Sequence, residues 1–171
     1  LPGAGSHPER IEYIRPTDNF LTYNVGTNYR APLWELVYHD AVVTTWYWDD
    51  ANNRVPEAWW RKDLFNILYG NMPLWAIRNF DHWRQYKNRF IESYNNVSPV
   101  FEKVGYFKML SHRFVSEDHA IQETQFEGDI RIFVNFNESA SFDLKELNYK
   151  LPARGFVVFE KGKVWKEGIA N

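Results

Sequence analysis

The chain of 171 residues carries 20 lysines and arginines against 22 aspartates and glutamates, a formal net charge of −2, which leaves no electrostatic footprint for nucleic acid or an anionic membrane surface. It contains no cysteine, so disulfide and thiolate chemistry are excluded, and no apolar run approaches the ~20 residues needed to cross a bilayer. A chain of this length buries roughly two-thirds of its unfolded surface, enough for one domain or two small ones.

Residues 1–19, with Pro2, Gly3, Gly5, Pro8 and Pro16, read as irregular connection. The opening LPGAGSHPER has neither an initiator Met nor a signal-peptide pattern, and the chain is expected to be the C-terminal part of a longer protein. Phe20–Val25 suit a short strand and Gly26 to Arg30 a turn.

The next stretch, Pro32–Arg54, holds most of the candidate chemistry. Leu33–Tyr38 reads as a strand, with Pro32 as its first residue. Alternation puts Leu33, Glu35, Val37 and His39 on one face and Trp34, Leu36, Tyr38 and Asp40 on the other; apolar residues on both faces suit a covered parallel sheet. The run ends in His39 and Asp40 and opens into Trp46, Tyr47, Trp48, Asp49, Asp50, Asn52 and Asn53. Barrel enzymes build active sites from strands that end in acids and open into such loops. Carboxylates protonate or attack a glycosidic bond, aromatic faces stack on sugar rings, and Asp and Asn side chains bond hydroxyls. Seven of the eight tryptophans lie between Trp34 and Trp83. Core packing explains most of that cluster, but Trp46 and Trp48, beside four acids and amides, sit in predicted loop.

Pro56-Glu57 then marks a helix start. Trp60, Leu64, Ile67 and Leu68 share one helical face, and Gly70 closes the helix. Met72–Ile77 reads as a short buried strand. Asp81 caps a second helix with Trp83, Lys87, Phe90, Tyr94 and Val97 in a stripe, broken or restarted at Ser98-Pro99 and ended by Gly105. This strand–helix–strand–helix rhythm is that of a barrel or doubly wound sheet; two units cannot close a barrel of eight. From Tyr106 the period changes to two: Tyr106–Val115, Ala120–Phe126, Asp129–Asn137 and Gly155–Trp165 read as antiparallel strands, with Glu127-Gly128 and Lys161-Gly162 as hairpin signals. The expected fold is α+β: residues 1–105 as the last βα units of a (β/α)8 barrel and 106–171 as an antiparallel β-sandwich.

Each candidate has a bland counterpart. Glu35 interrupts an apolar run, and a desolvated carboxyl there suits a general acid; equally it pairs with Arg30 or Arg54. Asp40 has the strand-end position of a barrel catalytic residue or is a loop-start cap. His39 orients a carboxylate or a hydroxyl, or packs structurally. Asp49, Asp50, Asn52 and Asn53 bind hydroxyls or a hard cation such as calcium, or form a solvated turn. His112, Arg113 and His119 fit sheet or interface positions. Asn137-Glu138-Ser139 matches a glycosylation acceptor, a pattern too short to count. Phosphate-loop, CxxC, HExxH and GxSxG patterns are absent.

In PLWELVYHDAVVTTWYWDD, in NNR and in RKDLFNILYGNMPLW the sequence resembles bacterial secreted glycoside hydrolases related to the endo-α-N-acetylgalactosaminidases, families 101 and 129. MLSHRF, IQETQF, IRIFVNF and LPARGFVVF resemble the passage from the end of the barrel into a C-terminal β-sandwich in the same enzymes. The resemblance implies a retaining α-glycosidase with an Asp nucleophile and a Glu acid/base at strand ends, the two carboxyls ~5–5.5 Å apart. It matches Glu35 to the acid/base and places the nucleophile on an earlier strand outside this chain, with Asp40 as the fallback. His39 joins them in the pocket, and Trp46, Trp48, Asp49 and Asn52 line it. It further implies a glycan substrate, no resident metal apart from the calcium option, a longer parent chain, and a secreted, periplasmic or cell-surface location. The alternatives are a non-catalytic module holding a glycan through Trp46 and Trp48, or a purely structural one.

Overall fold

The computed structural model of the chain describes residues 30–45 and 56–171. The first element is a helix, α1 (Leu33–Tyr38). A 3₁₀ turn (Pro56–Ala58) leads into α2 (Trp59–Tyr69), and α3 runs over Phe80–Val104. The strands follow: β1 (Met109–Phe114), β2 (Ile121–Phe126), β3 (Ile130–Asn135), β4 (Phe142–Leu144), β5 (Tyr149–Leu151), β6 (Gly155–Glu160) and β7 (Lys163–Ile169), with a second 3₁₀ turn, Lys145–Leu147, between β4 and β5. The chain is thus α+β. A five-stranded antiparallel sheet has the order β1-β2-β3-β6-β7, and β4 and β5 form a separate two-stranded ribbon.

The period of two in the second half decides which face each strand residue covers. Ile130, Ile132, Val134, Phe156 and Val158 join Leu64, Ile67, Leu68, Val97, Val100 and Val104 in one core against the helices. Their neighbours Phe133, Val157 and Phe159 form a second core with Ile121, Leu144 and Leu151 under the ribbon. Both faces of β3 and β6 are therefore covered, which is why GFVVF is apolar at consecutive positions. The helix-side core joins residues on both sides of position 105.

Two polar groups fasten the ribbon. Glu123, fully buried, is ion-paired with Arg113 and accepts from Arg131 Nε at 2.6 Å. Both arginines also donate to Glu146 Oε1 at 2.9 Å, and Arg131 and then Arg113 hold the Glu146 carboxyl below its ordinary range. Asn135, also fully buried, donates to the Ala140 and Pro152 carbonyls at 2.8 and 2.9 Å.

Every residue of α2 but Arg61 is buried, because the helix lies between the sheet and α3. Gly70 ends it at φ +64, its N–H on the Asn66 and Ile67 carbonyls, as the sequence predicts. The hairpin turns fall as expected, with Gly128, Asp129, Lys161 and Gly162 at positive φ. Gly155–Trp165 is not one strand, however, because the second turn divides it into β6 and β7.

Four expectations for the first half are corrected. Leu33–Tyr38 is helical, not extended: Glu35 and His39 are buried one helical turn apart, while Val37, which a strand would place on the same face, is exposed. Met72–Ile77 forms no strand; Met72 makes an isolated parallel bridge to Thr45, and Pro73 lacks the N–H that a ladder needs. α3 is capped by Asn79, whose side chain accepts from the His82 N–H at 2.8 Å, rather than by Asp81. It also continues through Ser98-Pro99 to Val104, with the buried side chains of Phe90, Ser93, Val97, Val100 and Val104 holding it while Lys87 and Tyr94 lie exposed. Among the described residues the expected βα rhythm is replaced by helices packed on an antiparallel sheet.

Candidate functional site

α1 is amphipathic in an inverted sense. Glu35 (7% exposed) and His39 (4%) face inward, whereas Leu33 (72%), Val37 (64%), Trp34 and Tyr38 face outward. The inward residues are held by the loop that leaves α2. Asn71, itself buried, donates through Nδ2 to Glu35 Oε1 at 3.1 Å and accepts from Thr44 Oγ1 at 2.5 Å. The Met72 N–H then bonds the Thr44 carbonyl at 2.9 Å.

Arg30 and Tyr69 complete this polar cluster. Burial lowers the pKa of Arg30, opposed by the nearby Tyr69 and Glu35. Burial also pushes the Tyr69 hydroxyl well above its ordinary range, with Arg30 opposing and Glu35 adding to the effect. The Arg30 guanidinium stands 5.4 Å above the Phe65 ring.

His39 turns both ring nitrogens to backbone carbonyls: Nδ1 is 2.6 Å from Phe107 O and Nε2 3.3 Å from Gly70 O. A carbonyl only accepts, so the shorter contact assigns an N–H to Nδ1. The ring edge packs on Phe126 at 5.0 Å. The structure brings Glu35 and His39 to one buried face and leaves Asp40 outside, exposed and 4.0 Å from Lys108 Nζ. Trp46, Trp48, Asp49 and Asn52, with the calcium option that includes Asp50 and Asn53, lie outside the described residues. Among the described residues no three His, Cys, Asp or Glu side chains converge as metal ligands, and no helix is long and apolar enough to cross a membrane.

Two arrangements escape the sequence. The first is Asp63, 4% exposed between α2 and α3, whose carboxylate accepts from Ser93 Oγ at 2.7 Å. Trp75 Nε1 donates to the same hydroxyl at 2.8 Å. Burial pushes the Asp63 pKa up to about 7, against the opposing Ser93 hydrogen bond and the charges of Lys62 and Arg89. Asp63 directly follows Arg61 and Lys62 in the chain, where a carboxylate reads as a solvated partner of its basic neighbours.

The second is a cleft of about 480 Å³ at the start of α2, lined by Glu57, Trp60, Arg61, Arg89, Glu138, Arg154 and Asn171. The guanidiniums of Arg61 and Arg154 both lie over the Trp60 ring, 5.0 and 4.7 Å from its centre. Glu138 bridges the same two arginines at 3.2 and 3.3 Å. Arg89 lies 5.2 Å over Trp59. Its lining residues are spread from 57 to 171, so no local spacing could have announced it.

The family model for glycosyl hydrolases related to the GH101 family, GH129, matches residues 13–125, well over half of the chain. Among solved structures the chain is similar to the α-N-acetylgalactosaminidase NagBb from Bifidobacterium bifidum, a quadruple mutant, at 19% identity and a TM-score of 0.47. The similarity covers 87% of this chain and 20% of that one, so the chain spans about one fifth of that enzyme's length. No curated protein matches it.

Proposed function

The chain belongs to the glycosyl hydrolases related to the GH101 family, GH129, and on that premise we propose that it is the C-terminal portion of a retaining glycosidase acting on α-linked N-acetylgalactosaminides or related glycans. The observation that supports a portion rather than a free-standing enzyme is the outward face of α1. Leu33, Trp34, Val37 and Tyr38 are each about half exposed or more, and contiguous apolar surface of this kind marks a place where another body packs. In this proposal residues 1–105 belong to the side of the catalytic barrel and 106–171 to a β-sandwich, the two sharing the core around Leu64, Ile132 and Val158. Secretion or display at the cell surface is part of the same proposal.

A retaining enzyme protonates the leaving oxygen with one carboxyl while a second attacks the anomeric carbon; water, activated by the first, then releases the sugar. Glu35, held through Asn71, is the proposed acid/base, with the nucleophile upstream and Asp40 as the fallback within this chain. His39 fixes the α1 turn that presents Glu35, and Trp46, Trp48, Asp49 and Asn52 are proposed to contact the glycan. One observation favours the alternative of a non-catalytic glycan-binding or supporting module: Glu35 and His39 are buried and bonded to Asn71, Gly70 and Phe107 of the chain itself.

Glu35→Gln separates the two, since the amide oxygen keeps the bond from Asn71 but the side chain carries no acid. In the longest parent protein, hydrolysis of p-nitrophenyl α-N-acetylgalactosaminide is expected to fall by about 10²–10⁴ with the unfolding midpoint unchanged. Undiminished turnover with a lowered midpoint would assign Glu35 a structural role. A well-folded parent that leaves the substrate intact would sink the substrate class.

A further inference from the structure

The cleft at the start of α2 gathers charged side chains from distant parts of the chain. Three guanidiniums, those of Arg61, Arg89 and Arg154, face it with the carboxylates of Glu57 and Glu138. Glu138 takes one N–H from each of Arg61 and Arg154, while each guanidinium has five to give. Arg154 Nε is buried with no hydrogen-bond partner, and Arg89 makes no hydrogen bond or ion pair among the described residues; its guanidinium lies over Trp59 and within reach of the Asp63 and Glu92 charges. Burial lowers the pKa of Arg89, opposed by the Asp63 and Glu92 charges, with Arg154 adding to the effect, and a bound anion favours the charged guanidinium. Both arginines stand on indole rings, which hold a guanidinium's plane and so prepare its paired N–H groups for a flat or tetrahedral oxyanion.

We propose that this cleft binds the acidic group, a carboxylate or a sulfate, of a charged sugar in a glycan. The anion follows from the arginines, and the sugar rests on the glycosidase reading above. The cleft is a recognition site apart from Glu35, serving to select acidic chains rather than to cleave them.

Isothermal titration calorimetry of the 171-residue chain with galacturonate, galactose 6-sulfate, galactose and sodium sulfate tests it. At least one acidic sugar is expected to bind, the one that does identifying the group, while galactose does not and added NaCl weakens the binding. Arg89→Gln and Arg61→Gln are each expected to weaken it about tenfold or more. Should Arg89→Gln fail to fold, because Arg89 also neighbours Asp63, Arg61→Gln decides alone. Binding of neither acidic sugar, or equal binding by the folded variants, would overturn the proposal. Inorganic sulfate binding as tightly as the tightest acidic sugar would overturn its sugar component. Failure here leaves the glycosidase proposal intact, because the p-nitrophenyl substrate carries no acidic group. An inactive parent with arginine-dependent binding of acidic sugars would reverse that outcome.

Discussion

Asp63→Asn should make the protein less sensitive to alkali. The Asp63 carboxyl moves from an ordinary 3.8 to about 7 on folding, a gap of about three pH units, and 1.36 kcal/mol for each makes its ionisation in the fold cost about 4 kcal/mol. The folded protein therefore favours the protonated acid. The associated stability is complete below pH 3.8, is lost as pH rises through 7, and is gone above it. The asparagine keeps an oxygen for the Ser93 hydroxyl but cannot ionise. It also brings a second N–H into a site only 4% exposed, at a cost of about 1 kcal/mol. The variant should accordingly be slightly less stable than the parent at pH 4 and about 2–3 kcal/mol more stable at pH 8. Urea unfolding followed by tryptophan fluorescence reads this as a crossover of midpoints, with the variant ahead by about 1 M at pH 8. Because other carboxylates titrate equally in both proteins, only the difference matters. A difference that stays constant from pH 4 to 8 would refute the claim that Asp63 titrates out of the fold's favour.

Two further outcomes test the supports of the site and the sheet. Gly70→Ala places a Cβ 2.7 Å from Val104 Cγ2 and 2.9 Å from His39 Nε2 at φ +64; unfolding should show a loss of about 2 kcal/mol or more, and an unchanged midpoint would mean that the His39 clamp is loose. Glu123→Gln removes the charge that Arg113 and Arg131 share while keeping the shape. It should cost about 1–3 kcal/mol, with faster amide hydrogen exchange in β4 and β5, and slow exchange there would show that the ribbon is held by its apolar core alone.

Much of the second half could be read directly from the chain. Ile130, Ile132 and Val134 alternate with Arg131, Phe133 and Asn135, and an interval of two is a property of the extended backbone itself. Gly70 and Gly162 were legible for the same reason, since each occupies a positive φ that glycine reaches without strain. Leu33–Tyr38 was not legible. A six-residue apolar run is too short for its period to separate helix from strand, and residues 35 and 39 share a face in either. At the candidate site the sequence marked Glu35 and His39 as carboxylate and imidazole in an apolar setting, yet said nothing of Asn71, Gly70 and Phe107, which receive them.

By itself, then, the sequence determined the local terms of this protein: which residues alternate, where the backbone turns, which carboxylates sit among apolar neighbours, and the family signature. Tertiary structure alone decided how the polar groups are matched. It turned α1 so that its apolar side faces out, put Asp63 against Ser93, and gathered arginines from positions 61, 89 and 154 around one cleft. The physical reason is range. Backbone preference acts over a few residues, whereas the desolvation of a buried charge is settled by whichever partners the whole fold brings within about 3 Å of it.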